Sequence, residues 1–182
     1  MTATTIARPG FEEAALVRAA QAGDRAAFGT LYQIYARMVH GVLLAHVAYS
    51  DAEDLVQDVF LRAMEQLNGL REPEAFGGWL CAIARRAAAD SHRKRRRMEP
   101  LRRGPVSAAQ WGEAFEALDA IRALPGAYSE TLMLRLVEGM TGPEIAARTG
   151  LTPDSVRVNL CRGMKQLREA LGRPVDQKDT ER

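Results

Sequence analysis

Apolar residues recur every three or four positions along most of the chain, and no segment alternates apolar and polar residues as a half-buried strand would. The pattern predicts an all-α protein. Residues 11–21 form a first short helix, stopped by Gly23. Asp24 is placed to cap a second helix running to about residue 49, with Phe28, Leu31, Tyr32, Tyr35, Met38, Val39, Val42 and Leu43 as its apolar face. Ser50 and Glu53 read as a capping box that opens a third helix to about residue 67. There Val56, Val59, Phe60, Ala63 and Leu67 point inward, leaving Asp54, Gln57, Asp58 and Arg62 outside. Asn68 and Gly69 end it. Pro73 opens a fourth helix with the stripe Phe76, Trp79, Leu80, Ile83 and Ala87, and Arg85, Arg86, Asp90 and Arg93 beside it.

The periodicity fades over residues 93–109, which are basic and then contain Pro100, Gly104 and Pro105, so a flexible linker is predicted there. Helical spacing resumes with Phe115, Leu118 and Ile121, breaks at Leu124, Pro125 and Gly126, and returns over residues 128–138. Residues 141–171 then read as a helix-turn-helix. Thr141 and Glu144 form a capping box around Pro143, Ile145 and Ala146 face inward, and Gly150 supplies the left-handed stop. Leu151 is expected to plug the turn. Thr152, Pro153 and Asp154 suit the N-cap, the first helical position and the positive end of the helix dipole. Val156, Leu160, Met164, Leu167 and Leu171 make the buried stripe of the second helix. Its other face presents Arg157, Val158, Asn159, Cys161, Arg162 and Lys165. Arginine can bind guanine edges and asparagine adenine edges, so this face is a candidate DNA reader.

A length of 182 residues allows one or two small domains, and 47% hydrophobic residues suffice to build cores. Two widely separated cysteines, Cys81 and Cys161, argue against a disulfide framework and fit a reducing cytoplasm. No apolar run is long enough to span a bilayer, and the first ten residues lack an apolar signal core. The net charge of +2 says little, but its distribution is polarised. Residues 85–103 hold nine Arg or Lys against Asp90 and Glu99, whereas residues 50–66 hold five acids against Arg62. That asymmetry predicts two partner surfaces, one for a polyanion and one for a basic partner. His40, His46, His92 and the cysteines show no metal-ligand spacing, and no phosphate loop or nucleophile elbow occurs, so neither a metal, a cofactor nor an enzymatic activity is expected.

Three segments together resemble the extracytoplasmic-function (ECF) group of bacterial RNA polymerase sigma factors. DAEDLVQDVFLRA (residues 51–63) is similar to that family's region 2.2, FGGWLCAIARRAAADSHRKRRR (76–97) to regions 2.3 and 2.4, and LPGAYSETLMLRLVEGMTGPEIAARTGLTPDSVRVNLCRGMKQLREAL (124–171) to region 4. The resemblance covers residues 11–172. It implies a region 2 domain over 11–97, a linker over 98–111, a region 4 helix-turn-helix domain over 112–172 and a tail over 173–182. It further implies that Asp54, Gln57 and Asp58 dock on core RNA polymerase. Arg85, Arg86, Arg93, Lys94, Arg95 and Arg96 would contact DNA at the minus-ten element, where basic side chains meet phosphates and unstacked bases need platforms. Trp79, with Ile83 one turn on, reads as core. The helix-turn-helix would read the minus-thirty-five element, and an anti-sigma factor would hold the protein in check.

The chain departs from the family pattern at three places. Arg86 stands where the family often has Asn, near the flipped-base pocket. SVRVNLCRGM replaces the common TVKSRLHRAR, with Val158 for Ser and Asn159 for Arg. Residues 71–78 leave little loop for base capture. Two other readings compete. A stand-alone helix-turn-helix regulator would bind palindromic half-sites as a dimer, but no dimerisation heptad is evident. A sigma mimic that sequesters an anti-sigma factor would need no DNA surface, against which stand Arg157 and the arginines from 93 to 97.

Overall fold

The computed structural model describes residues 9–98 and 112–172, with side chains over 12–95 and 116–172. All regular structure among them is helical. The N-terminal unit comprises α1 (Pro9–Gln21), α2 (Arg25–Leu44), α3 (Tyr49–Gln66) and α4 (Phe76–Met98), with short 3-10 turns at Leu67–Gly69 and Pro73–Ala75. The C-terminal unit comprises α5 (Gly112–Arg122), α6 (Gly126–Leu132), α7 (Gly142–Thr149) and α8 (Pro153–Ala170). The predicted linker is outside the described residues apart from Met98, as are the tail and the side chains of Arg96 and Phe115.

Local chemistry sets most helix starts. Asp24 accepts hydrogen bonds from the Ala26 and Ala27 amides at 2.8 and 3.1 Å, capping α2 as expected. The Ser50–Glu53 box does not form. Helix α3 begins at Tyr49 behind Ala48, and the Ser50 hydroxyl lies 3.3 Å from the Asp51 carboxylate instead. The reason is the exit from α2, which stops at Leu44 rather than near residue 49. The His46 and Val47 amides both donate to the Leu43 carbonyl, and buried Ala45 and Val47 pin the short connection. Ser50 therefore falls inside the first turn of α3.

Helix α4 also outlasts its apolar pattern and is helical through residues 93–98. Arginine and lysine are good helix formers, and acids on neighbouring turns compensate them. Arg93 pairs with Asp90, and Arg95 reaches Asp51 on α3.

The core of the N-terminal unit packs Leu31, Val39, Val42, Leu43 and Leu44 of α2 against Val59 and Phe60 of α3 and Phe76 and Leu80 of α4. Trp79 is partly buried with its ring 5.7 Å from Phe76, which supports its reading as core. Tyr32, expected on the inner face, is instead 39% exposed, its ring tilted against Phe60 with the centroids 4.5 Å apart.

Helix α6 continues into a π turn, Met133–Val137, in which the Glu138 amide reaches the Met133 carbonyl at 3.1 Å. Leu132, Met133 and Leu134 are fully buried, and α6 and α8 pack through Gly163. A Cβ at Gly163 would stand 3.1 Å from Leu132 Cδ1 and 3.2 Å from Tyr128 Cβ, so any larger residue would push Leu132 or Tyr128 back by a few tenths of an ångström. The apolar stripe of α8 is accordingly graded. Val156 and Leu167 are buried, whereas Leu160, Met164 and Leu171 are only partly so. The two units pack on one another rather than standing apart, and their apolar interiors join.

Candidate nucleic-acid and polymerase interfaces

The helix-turn-helix forms by the local rules its sequence displays. The Thr141 amide donates to Glu144 Oε2 at 2.7 Å, and the Glu144 amide returns a bond to the Thr141 hydroxyl at 3.4 Å. The Thr141 amide, then its hydroxyl, hold the Glu144 carboxyl below the usual carboxylate range. Gly150 ends α7 at φ 76°, and Thr152 caps α8 by accepting from the Ser155 amide at 3.2 Å. Leu151 does not plug the turn, since it is 37% exposed; the buried residues nearest to it in the chain are Ala146 of α7 and Val156 of α8.

On α8, Arg157, Cys161, Arg162 and Lys165 are exposed, and Val158 is half-buried. The Arg157 side chain is 77% exposed and makes only a 3.5 Å surface pair with Asp154, one turn back. Asn159 faces the other way, with its amide donating to the Thr131 hydroxyl on α6 at 3.4 Å. Of the six candidate readers, Asn159, half-buried like Val158, is therefore the one bonded to α6.

The two cysteines sit in opposite environments. Burial pushes the Cys81 thiol up to about 12, with Arg85 pulling weakly the other way. Cys161 is exposed on the reading face. A thiol reagent at pH 7 should modify Cys161 within minutes and Cys81 only after denaturation. Two equally fast thiols in the folded protein would contradict this placement.

On α3, Asp54, Gln57 and Asp58 are all exposed on one face, and the two aspartates form no ion pair among the described residues. Beside them lies a shallow cavity of about 260 Å³ lined by Phe28, Tyr32, Gln57, Phe60, Leu61 and Met64. Leu61 and Met64 are 56% and 52% exposed. Both fall off the buried stripe of α3, so apolar periodicity does not single them out. Their signal is the converse: large apolar residues on an otherwise charged face.

On α4, Arg85, Arg86, Arg93, Lys94 and Arg95 lie on exposed positions. Their surroundings differ. Asp90, held below the usual range first by Arg62 and then by Arg93, draws Arg93 to itself. Arg95 is paired with Asp51, and Arg85 is gripped by Glu130 of the C-terminal unit. Arg86 and Lys94 form no ion pair among the described residues. No group of acidic, histidine or cysteine side chains there could hold a metal ion, and no helix there is long and apolar enough to cross a membrane.

Comparison with known proteins agrees with this geometry. The model for Sigma-70 region 2 matches residues 31–98, and that for Sigma-70 region 4 matches residues 114–167. The chain is 31% identical over 170 residues to the ECF RNA polymerase sigma factor BldN of Streptomyces coelicolor, an alignment covering 86% of this chain and 64% of BldN. It is 30% identical over 158 residues to the ECF RNA polymerase sigma factor RpoE of Cereibacter sphaeroides, covering 80% of this chain and 87% of the relative. The fold is similar to that of CnrH, solved in complex with the cytosolic domain of CnrY, with a TM-score of 0.60 and 24% identity over 88% of this chain and 97% of CnrH. With a region 2 helical unit followed by a capped helix-turn-helix of region 4, this chain belongs to the RNA polymerase sigma factor family, in its ECF group.

Proposed function

We propose that this protein binds core RNA polymerase and directs it to promoters with two separated elements. In this reading, residues 11–97 serve as the polymerase-docking and minus-ten domain, and residues 112–172 as the minus-thirty-five domain. The observation that carries it is the coexistence on one chain of an exposed acidic face on α3, flanked by exposed apolar side chains, and a basic reading face on α8. Asp54, Gln57 and Asp58 would meet the polymerase. Arg85, Arg86, Arg93, Lys94, Arg95 and Arg96 would meet minus-ten DNA. Arg157, Val158, Cys161, Arg162 and Lys165 would lie along the minus-thirty-five groove, with Asn159 positioning the helix against α6. The protein would work in the cytoplasm and perform no covalent chemistry itself. Tying two modest contacts to one chain raises the effective concentration of each for its element.

An anti-sigma factor is the proposed regulator. CnrH was solved with a protein partner, and the Phe28, Tyr32, Leu61 and Met64 groove offers such a partner apolar surface. Run-off transcription with sigma-free core polymerase and genomic promoter fragments tests the central proposal. Transcripts that depend on the protein support it. Their absence, together with failure to co-elute with core, would leave a stand-alone regulator or a sigma mimic, which DNA binding by the protein alone would tell apart.

Arg157→Ala should lower transcription from promoters with an intact minus-thirty-five element by roughly tenfold or more, the scale of one bidentate base contact. Promoters already mutated in that element should respond little. Equal losses on both would reduce Arg157 to a non-specific phosphate contact.

A further inference from the structure

The two units meet across a surface that promoter recognition does not require. Three carboxylates stitch it. Glu130 of α6 accepts from Arg85 Nε and an Nη of the same guanidinium at 2.8 and 2.7 Å, and its Oε1 lies 2.8 Å from His46 Nε2. Burial alone would push the Glu130 carboxyl up; the bonds from Arg85 and His46 overcome this and leave it below the usual carboxylate range. Glu138, just after the π turn, lies 2.6 Å from His40 Nδ1 on α2, and Arg37 donates to its carbonyl. Glu13 of α1 accepts from Arg148 of α7 at 2.7 Å and from the Tyr35 hydroxyl at 2.6 Å.

Two glycines make room for the contact. A Cβ on Gly41 of α2 would come 2.7 Å from Leu134 Cδ2, and a Cβ on Gly77 of α4 would overlap the Arg148 carbonyl oxygen. Both lie in helices, where alanine is otherwise the better residue. Their smallness serves the approach of the C-terminal unit.

The contact falls on the part of the N-terminal unit proposed above to meet DNA. A carboxylate that engages an arginine through two parallel N–H donors uses the same fork that a phosphate would. Glu130 thus occupies Arg85 as a DNA backbone would. Residues 148–150, at the end of α7, cover Gly77 and Gly78 at the start of α4, the helix read above as the minus-ten contact. Arg157, Cys161, Arg162 and Lys165 of α8 stay exposed in the same arrangement.

We propose that the C-terminal unit is an internal inhibitor of the minus-ten surface: Glu130 stands in for a DNA phosphate on Arg85, and α7 seats on the Gly77 notch. The free protein is then closed, and it opens when polymerase and promoter DNA bind the open form better. This rests on the reading of α4 as a minus-ten contact. It blocks one DNA surface and leaves the other free.

Two variants attack the closure by unrelated routes. Glu130→Ala removes the phosphate mimic. Gly77→Ala adds one methyl and no charge: its Cβ overlaps the Arg148 carbonyl oxygen across the contact, while on its own side it meets only the Tyr35 ring edge, at 3.1 Å. Spin labels on native Cys161 and on Gln33→Cys, an exposed position of α2, report the separation of the units in the full chain by double electron–electron resonance. The parent should give one narrow distance, and each variant a longer, broader distribution. In parallel, unlabelled Glu130→Ala should bind a single-stranded oligonucleotide roughly tenfold more tightly than the parent, the scale expected when a charge-assisted competitor is removed. Distances unchanged in both variants would overturn the closure. Longer distances without tighter binding would overturn the inhibition. If no form binds the oligonucleotide while all still co-elute with core polymerase, the minus-ten reading of α4 fails and the inhibitor proposal fails with it, leaving the polymerase reading intact.

Discussion

Asp54→Lys combined with Asp58→Lys should abolish binding to core RNA polymerase, weakening it by at least about 100-fold, because like charges set against each other at an interface cost several kcal/mol. The two carboxylates are one helical turn apart on the exposed face of α3 and form no ion pair among the described residues. Nothing inside the protein is orphaned by their loss. The stabilising interactions of α3 lie on its opposite side, in Val56, Val59, Phe60 and Ala63. Exposed substitutions of this kind usually change stability by less than about 0.5 kcal/mol. Far-ultraviolet circular dichroism and the unfolding midpoint should therefore match the parent protein. Size-exclusion chromatography with sigma-free core is the decisive assay, because it separates docking from DNA recognition. Co-elution within threefold of the parent would refute the docking role. Loss of binding with loss of helicity would place the effect in folding. Leu61→Ser and Met64→Ser address the apolar part of the same surface and should weaken docking less.

What could be read from the sequence was whatever depends on a few consecutive residues. The Thr141–Glu144 box, the Gly150 stop and the Thr152 cap all form as their spacing dictates, because each is closed by bonds spanning two to four residues. The buried stripe of α3 was equally legible, since a helix surrounded on one side only must follow the 3.6-residue period. Failures came where distant packing outweighed a local signal. Ser50 and Glu53 have the right spacing for a cap, but the buried connection at Ala45 and Val47 starts α3 one residue before Ser50. Basic residues 93–98 looked like linker because they lack apolar period, yet Asp90 and Asp51 hold Arg93 and Arg95 along a continuing helix. The meeting of the two units had no local signature. It depends on carboxylates and glycines more than thirty residues from their partners, such as Glu130 with Arg85 and Gly77 with Arg148.

Leu132→Ala should destabilise the protein by about 2–5 kcal/mol, the range for truncating a fully buried leucine. Leu132 is 0% exposed and fills the space beneath Gly163, where α8 comes closest to α6. A cavity there cannot close easily. Helix α8 is fixed at its start by the Thr152 cap and buried Val156, and the π turn after Leu132 is anchored by buried Met133 and Leu134. By contrast, Leu160→Ala should cost only about 1–2 kcal/mol. Its side chain is partly buried, so less apolar surface returns to water and solvent can fill the space it leaves. Urea titration monitored by circular dichroism measures both changes, provided the slope stays constant between variants. A Leu160 cost equal to that of Leu132 would mean that α8 is rotated toward its 160 face. Asn159 would then lose its bond to Thr131 and turn outward with Arg162, Arg157 would turn toward the interior, and the reading face would be a different set of residues. The stability difference between two leucines thus decides which side chains of α8 can reach a base edge.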